Sequence, residues 1–210
     1  MKEEQSMAEP AYTRSLPDRE DGRNWPVQGQ WTYEDYLRLP DDGNRYEVIR
    51  GVLYVTAAPF VKHQFVVSEL SFQLGSFVRR NQLGVVLGAP VDILLPFGIA
   101  TPVEPDIVFF RTGNEPRWED KNFKGVPDLV VEVLSRSTKS RDRRIKFEAY
   151  RDAGIPEYWM VDPDARTVVV YVLKGKEYVE LCRGGAGEKV RSSVLAGFEL
   201  AVADLFPRQA

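Results

Sequence analysis

The chain has 210 residues, of which 43% are hydrophobic and 28% are charged. This composition is typical of a globular domain with a substantial core. The net charge of -3 excludes a globally basic nucleic-acid-binding protein, so any contact with a phosphate backbone needs a local basic patch. The single cysteine, Cys182, excludes an internal disulfide and predicts a cytoplasmic protein. The charged start predicts that no signal peptide is present, and the lack of a long apolar stretch predicts that no segment spans a membrane.

The first part of the chain differs from the rest in composition. Residues 1–29 are rich in charged residues, Pro and Ser and show no apolar periodicity, which predicts a disordered tail. We expect one domain over residues 30–210, since no internal linker or repeat interrupts it. Alternating apolar residues then predict a hairpin with arms Arg45–Ile49 and Val52–Thr56.

Helical periodicity is clearest between Lys62 and Asn81, where apolar residues recur at intervals of three and four. A second helix is predicted from about Arg141 to Ala153, because Gly154 suits a left-handed C-cap and Pro156 follows it. Strands are predicted at Val85–Leu87, Val91–Leu95, Asp106–Arg111, Leu129–Leu134, Glu157–Asp162, Thr167–Leu173 and Glu177–Leu181, with a loop at 112–124. This order predicts an α/β (α+β) fold, a mixed β-sheet flanked by helices with additional β-hairpins.

Acidic residues interrupt apolar strands at three places. Glu132 lies in the middle of the run 128–134, Asp106 begins another apolar strand, and Glu47 lies within the first hairpin. An ionised carboxylate in such a strand costs several kcal/mol, roughly, unless a positive charge neutralises it. A divalent cation between Asp106 and Glu132 would remove their repulsion. Asp128 shares a strand face with Glu132, but we expect it to be exposed at the sheet edge.

With one histidine in the chain, a zinc site of His and Cys ligands is excluded, and any metal must bind mainly to oxygen. Mg²⁺ or Mn²⁺ is therefore the expected ion. That histidine, His63, lies on the apolar face of the first long helix. It is either an ordinary partly buried side chain or part of the lining of the site.

A basic segment follows the strand that carries Glu132. Its members are Arg136, Lys139, Arg141, Arg143, Arg144 and Lys146. Either they form a solvated helix start, or they hold a phosphate backbone beside the acids. Asp142, Lys146 and Tyr150 recur at intervals of four on one helix face, so the Lys146 ammonium could reach back to the carboxylates.

Several segments resemble the Uma-type family of restriction endonucleases, which belongs to the PD-(D/E)XK nuclease superfamily. The similar segments are Trp31–Tyr36, Arg45–Gly51, His63 after Ala58-Pro59, Pro105–Ile107, Val126–Ser135, Asp142 with Lys146 and Tyr150, and Gly154–Pro163. The similarity extends from about Trp31 to Phe206, and its block at 126–163 is the most specific.

The resemblance implies a restriction-endonuclease-like fold, with Asp106 and Glu132 as the first and second acids of the superfamily motif. It also implies the backbone carbonyl of Val133 as a further metal ligand, and Glu47 matches the early acid of the family. In one place this chain departs from the motif, because Leu134 stands where the motif has lysine. Lys146 on the next helix is the candidate replacement.

Together these observations predict a Mg²⁺- or Mn²⁺-dependent endonuclease that cuts nucleic acid, with DNA the expected substrate. A homodimer built through the aromatic-rich C-terminal hairpins is expected, because cutting two strands requires two active sites. One alternative is an inactive nuclease-like fold that binds DNA or a partner without cutting. Another is a glycoside hydrolase that uses paired carboxylates, although the basic segment suits phosphate better than sugar.

Overall fold

The structure is a computed structural model that describes Leu16, Gly22 and residues 24–56, 60–135 and 142–207. Its α-helices in these ranges are α1 (Tyr33–Tyr36), α2 (Val61–Arg80) and α3 (Phe147–Ala153), and a π-helical turn, Asp142–Lys146, leads into α3. Its strands are β1 (Arg45–Ile49), β2 (Val52–Thr56), β3 (Gly84–Gly88), β4 (Asp92–Leu95), β5 (Ala100–Val103), β6 (Ile107–Arg111), β7 (Asn122–Lys124), β8 (Leu129–Val133), β9 (Glu157–Asp162), β10 (Thr167–Lys174), β11 (Glu177–Gly184), β12 (Lys189–Arg191) and β13 (Glu199–Ala201).

The strands form two large mixed sheets and one small hairpin. The six-stranded sheet has the order β11-β10-β9-β8-β6-β3, and the five-stranded sheet has the order β2-β1-β5-β4-β7. In the larger sheet β8 runs parallel to β9 and antiparallel to β6. The expected mixed α+β fold with additional hairpins is therefore confirmed. None of the helices in the described residues is long and apolar enough to cross a membrane.

Strand β8 is buried on both faces of the six-stranded sheet. Val131 and Val133 pack with α2 and the C-terminal hairpin on one face. Val130 and Leu134 pack with α3 and the five-stranded sheet on the other. This double burial explains the unbroken run of valines and leucines, because neither face meets water. Glu132 lies between Val131 and Val133 and so points to the α3 face.

The C-terminal aromatic residues fill the interior of the chain. Tyr171 and Tyr178 pack around Phe147, with ring centroids 5.0 and 5.2 Å away. Phe198 packs on Phe77 of α2 at 5.2 Å. These side chains therefore stabilise the cores and do not supply an exposed aromatic surface.

Residues 24–29, which the sequence analysis assigns to the tail, contact the first hairpin. Trp25 stacks on Trp31 at 5.5 Å, and the Gly29 amide donates to the Gly51 carbonyl at 2.8 Å. Apart from Leu16 and Gly22, the remainder of the predicted tail lies outside the described residues. Strand β7 falls within the predicted loop at 112–124, where its three residues extend the sheet edge beside β4.

A buried carboxylate fixes the C-terminal segment to the large sheet. Glu157, at the start of β9, is fully buried and accepts hydrogen bonds from Trp159 Nε1 at 2.7 Å and Ser192 Oγ at 2.6 Å. The backbone amides of Ser193 and Val194 donate to its other oxygen at 2.6 and 3.0 Å. Four donors replace the water that this charge loses on burial, which is why no cation is needed beside it.

We expect Glu157→Gln to lower the free energy of unfolding by about 1–3 kcal/mol, because an amide nitrogen would then face N–H and O–H donors. Urea denaturation measures the change. Glu199→Gln is the matched control, since the Glu199 side chain is 58% exposed, and should change stability by under about 0.5 kcal/mol. Equal stability of the two variants would contradict a structural role for the Glu157 hydrogen bonds.

Candidate active site

The three acids singled out in the sequence come from three different strands and lie in one buried region. Ile107 pairs with Val131 in the antiparallel ladder of β6 and β8, so Asp106 and Glu132 are the next cross-strand neighbours. Glu47 lies on β1 of the other sheet. All three side chains are buried, with at most 4% of each residue exposed.

Lys146 connects the acids of the two sheets. Its Nζ lies 2.8 Å from Glu47 Oε1 and 2.8 Å from Glu132 Oε1. Only 2% of the lysine is exposed, so the ammonium has exchanged water for carboxylate partners. The π-helical turn ends at Lys146 and places its side chain one turn before Tyr150, whose hydroxyl donates to the same Glu132 oxygen at 2.5 Å.

The Tyr150 hydroxyl remains protonated in this environment. Burial, followed by the negative charges of Glu132 and Glu47, raises the pKa of Tyr150 well above its usual value. The hydroxyl therefore acts as a fixed hydrogen-bond donor to Glu132 at any physiological pH.

Asp106 is held by three donors from different elements. Arg45 Nη1 contacts its Oδ1 at 3.2 Å, while His63 Nε2 and the Val133 amide contact its Oδ2 at 3.2 and 2.8 Å. Burial alone would raise the pKa of Asp106, but the hydrogen bond and charge of His63, together with the charges of Arg45 and Lys146, lower it. The carboxylate is thus kept ionised, and the Asp106 interaction in turn raises the pKa of His63 against the effect of burial.

Two residues of this cluster escaped the sequence analysis. Arg45 contacts Glu104 as well as Asp106, with its Nε 3.2 Å from Glu104 Oε2. The Glu104 amide donates to Glu47 Oε1 at 2.9 Å, and burial raises the pKa of the Glu104 carboxyl although Arg45 opposes this. The available signal was the spacing of two, since Arg45 precedes Glu47 and Glu104 precedes Asp106 by two residues along extended chain.

Besides Lys146, two residues of the predicted basic segment are described. Arg143 and Arg144 are exposed, and Arg143 pairs with Asp162 at 3.1 Å. Arg136, Lys139 and Arg141 lie outside the described residues. Asp128, expected to be exposed, is instead buried, because Arg111 and Asn114 bind it locally at the start of β8.

The donor set of this cluster is suited to a hard divalent cation. Carboxylates of Glu47, Asp106 and Glu132 and the Val133 carbonyl are oxygen ligands of the kind that Mg²⁺ and Mn²⁺ prefer. With Glu104 the described cluster holds four carboxyl groups, and the basic partners that the structure shows for them are Arg45, Lys146 and His63. In the described residues no group of three or more His, Cys, Asp or Glu side chains is arranged to hold a metal ion.

A mixed sheet with buried acids beneath a lysine-bearing helix defines a nuclease-like fold of the restriction-endonuclease type. Residues 33–203 match the family model described as "Uma2: Putative restriction endonuclease", and the chain belongs to that family. The fold is similar to the crystal structure of "a putative nuclease belonging to DUF820" from Anabaena variabilis ATCC 29413, with a TM-score of 0.69 and 24% identity. The match covers 86% of this chain and 98% of that chain. No curated protein matches the sequence.

We expect Lys146→Met to lower the free energy of unfolding by about 3–5 kcal/mol, because two buried carboxylates would lose their shared cation. The triple variant with Glu47→Gln and Glu132→Gln should recover most of this loss, since it removes the stranded charges. Lys189→Met is the control, because that side chain is 67% exposed. Thermal and urea denaturation of the three variants test this; a Lys146→Met protein as stable as the control would contradict the bridging role.

Proposed function

We propose that this chain is a divalent-metal-dependent endonuclease that hydrolyses phosphodiester bonds of nucleic acid, most simply DNA. The observation that carries the proposal is the 2.8 Å approach of Lys146 Nζ to carboxylates of both sheets, beside the ionised Asp106. Membership of a restriction endonuclease family supports the same class of reaction. Nucleases with this fold generally use divalent metal ions, and the oxygen ligands of the cluster suit such an ion.

The roles of the residues follow from their contacts. Asp106 and Glu132 would hold the cation, Glu47 would bind it directly or through water, and the Val133 carbonyl would complete the set. A bound Mg²⁺ or Mn²⁺ supplies polarisation of the phosphoryl oxygen and a lower pKa of bound water. Arg45, His63 and the Val133 amide keep Asp106 ionised and oriented before any ligand arrives.

A second role for Lys146 would be at the phosphate. If the acids held a cation, the Lys146 ammonium would be placed to orient a water or to balance negative charge on the pentavalent phosphate. Tyr150 would keep one oxygen of Glu132 in place through its hydrogen bond. The exposed Arg143 and Arg144 are proposed to contact the nucleic-acid backbone, with Arg136, Lys139 and Arg141 of the same segment.

We propose further that residues 30–210 act as one domain in the cytoplasm. The two cores on opposite faces of one sheet support a single domain, and the single cysteine supports the cytoplasm.

The runner-up function, binding nucleic acid without cutting it, would use the same exposed arginines, Arg143 and Arg144. Calorimetric titration with Mn²⁺ in the presence and absence of DNA separates the two. Metal binding that depends on Asp106 and Glu132 favours the nuclease.

We also propose a homodimer that forms through strand β3. This strand is the outer strand of the six-stranded sheet, and all five of its residues are apolar or glycine. Antiparallel pairing with a second copy would set Val86 against itself with no like charges opposed. The Ala89 amide, just beyond β3, donates to the Asp106 carbonyl at 3.0 Å, so this pairing would place both active sites on the same face of one continuous sheet.

Plasmid nicking tests the catalytic assignment. In Mg²⁺ or Mn²⁺ we expect wild type to cut, and Asp106→Asn and Glu132→Gln each to reduce the rate about a hundredfold or more, because each removes a metal-binding charge. EDTA should abolish cutting. Asp204→Asn, at an exposed position, should cut like wild type. Equal nicking by all four proteins would assign the activity elsewhere or to a contaminant.

Cross-linking tests the dimer. In a Cys182→Ser background, Val86→Cys should form an intermolecular disulfide under mild oxidation, since self-paired residues in an antiparallel ladder lie about 4.5–5.5 Å apart at Cα. Val179→Cys on β11, at the opposite edge of the sheet and 43% exposed, is the control and should not. Monomers at tens of micromolar by analytical ultracentrifugation, or preferential linking through position 179, would contradict this interface.

A further inference from the structure

A pocket opens beside the acids, between the start of α2 and the turn that joins β9 to β10. Its volume is about 320 Å³, which lies at the lower end of the range for small-molecule sites. The side chains that matter for its chemistry are Phe60, Lys62, His63, Leu134, Pro163 and Asp164. We call it the Phe60 pocket.

The Phe60 pocket shares a wall with the proposed active site. One of its walls is the His63 ring, whose Nε2 lies 3.2 Å from Asp106 Oδ2. Another wall is Leu134, two residues beyond Glu132 and on the same strand face. A group bound in the pocket would therefore be separated from Asp106 by the His63 ring alone.

The walls of the pocket suit a flat aromatic ring. Phe60 is 69% exposed, so one face of its ring is open to a stacking partner. Leu134 and Pro163 add apolar surface. The His63 ring adds a polar wall beside them.

A weak ion pair joins the two sides of the pocket. Lys62 Nζ on α2 lies 3.0 Å from Asp164 Oδ1 in the β9–β10 turn, with the side chains 44% and 55% exposed. Exposed pairs of this kind are easily separated in water. Lys62 can therefore exchange Asp164 for a phosphate, which places a positive charge at the mouth of an aromatic pocket.

We propose that the Phe60 pocket binds one unpaired nucleobase of the substrate strand, adjacent to the scissile phosphate. The base stacks on Phe60, and Lys62 leaves Asp164 to pair with the neighbouring phosphate. This inference rests on the proposed function, because its ligand is part of the nucleic-acid substrate. It assigns a substrate class within that function: strands with an unpaired nucleotide at the cleavage point, such as single strands, flaps and bulges, are preferred over continuous duplex.

Binding without metal tests the pocket independently of cleavage. In EDTA, fluorescence anisotropy measures the affinity of wild type, Phe60→Ala and Phe97→Ala for a labelled single strand and for a blunt duplex of the same sequence. Phe97 is the matched control, since it is 95% exposed and lies in the turn after β4. We expect Phe60→Ala to weaken single-strand binding roughly 5- to 150-fold, the loss for one base–aromatic stack. Duplex binding should change less than about twofold.

A base analogue gives the second readout. 2-Aminopurine at one position of the single strand should be quenched on binding to wild type, not quenched with Phe60→Ala, and quenched again with Phe60→Trp, which restores a stacking ring. If Phe60→Ala matches Phe97→Ala in affinity, or if wild type binds without quenching, the pocket does not hold a base. If wild type binds no nucleic acid at all, the proposed function itself fails together with this subsite.

Discussion

The structure depends on one buried ammonium between two carboxylates. Lys146 contacts Glu47 of the five-stranded sheet and Glu132 of the six-stranded sheet, so a single side chain connects the two layers electrostatically. Neither glutamate could remain ionised at this depth without such a partner. The position of Lys146 is set by the π-helical turn before α3, and the position of Tyr150 one turn later supports the same carboxylate. The local geometry of one helix start therefore positions both the ammonium and the hydroxyl that Glu132 contacts.

Asp106 is a buried carboxylate that groups from several elements keep ionised. Its three donors come from β1, α2 and the end of β8, so the carboxylate is fixed only when all of these elements are assembled. The pKa of Asp106 is lowered although burial opposes this, which means that the cations around it outweigh desolvation. Arg45 serves Glu104 as well, and the Glu104 amide contacts Glu47. The cluster is thus one connected network of hydrogen bonds and ion pairs.

The sequence predicts the buried acids of the cluster wherever a charged residue interrupts an apolar strand. Glu132 and Asp106 stand out for that reason, and the bounds of β1, β2 and β9 follow directly from alternation and turn residues. Asp128 is the counterexample: the same strand pattern applies to it, but Arg111 and Asn114 satisfy it locally, and such tertiary partners leave no trace in spacing. The three-residue strand β7 escapes because it is too short for a periodic signal and is stabilised by pairing with β4. The π-helical turn was likewise not predictable from spacing at 3.6 residues per turn.

The departure from the superfamily motif at Leu134 has a physical explanation in this chain. Position 134 lies on the same strand face as Glu132, and its side chain is only 4% exposed among apolar neighbours. A lysine there would have to bury its ammonium in that apolar layer or displace it. Lys146 reaches the same carboxylate from the helix above, where Glu47 and Glu132 together neutralise it. The strand end is thereby free to be apolar, and Leu134 becomes a wall of the Phe60 pocket. The helix thus supplies a cation to Glu132, while position 134 of the strand contributes apolar surface to the pocket.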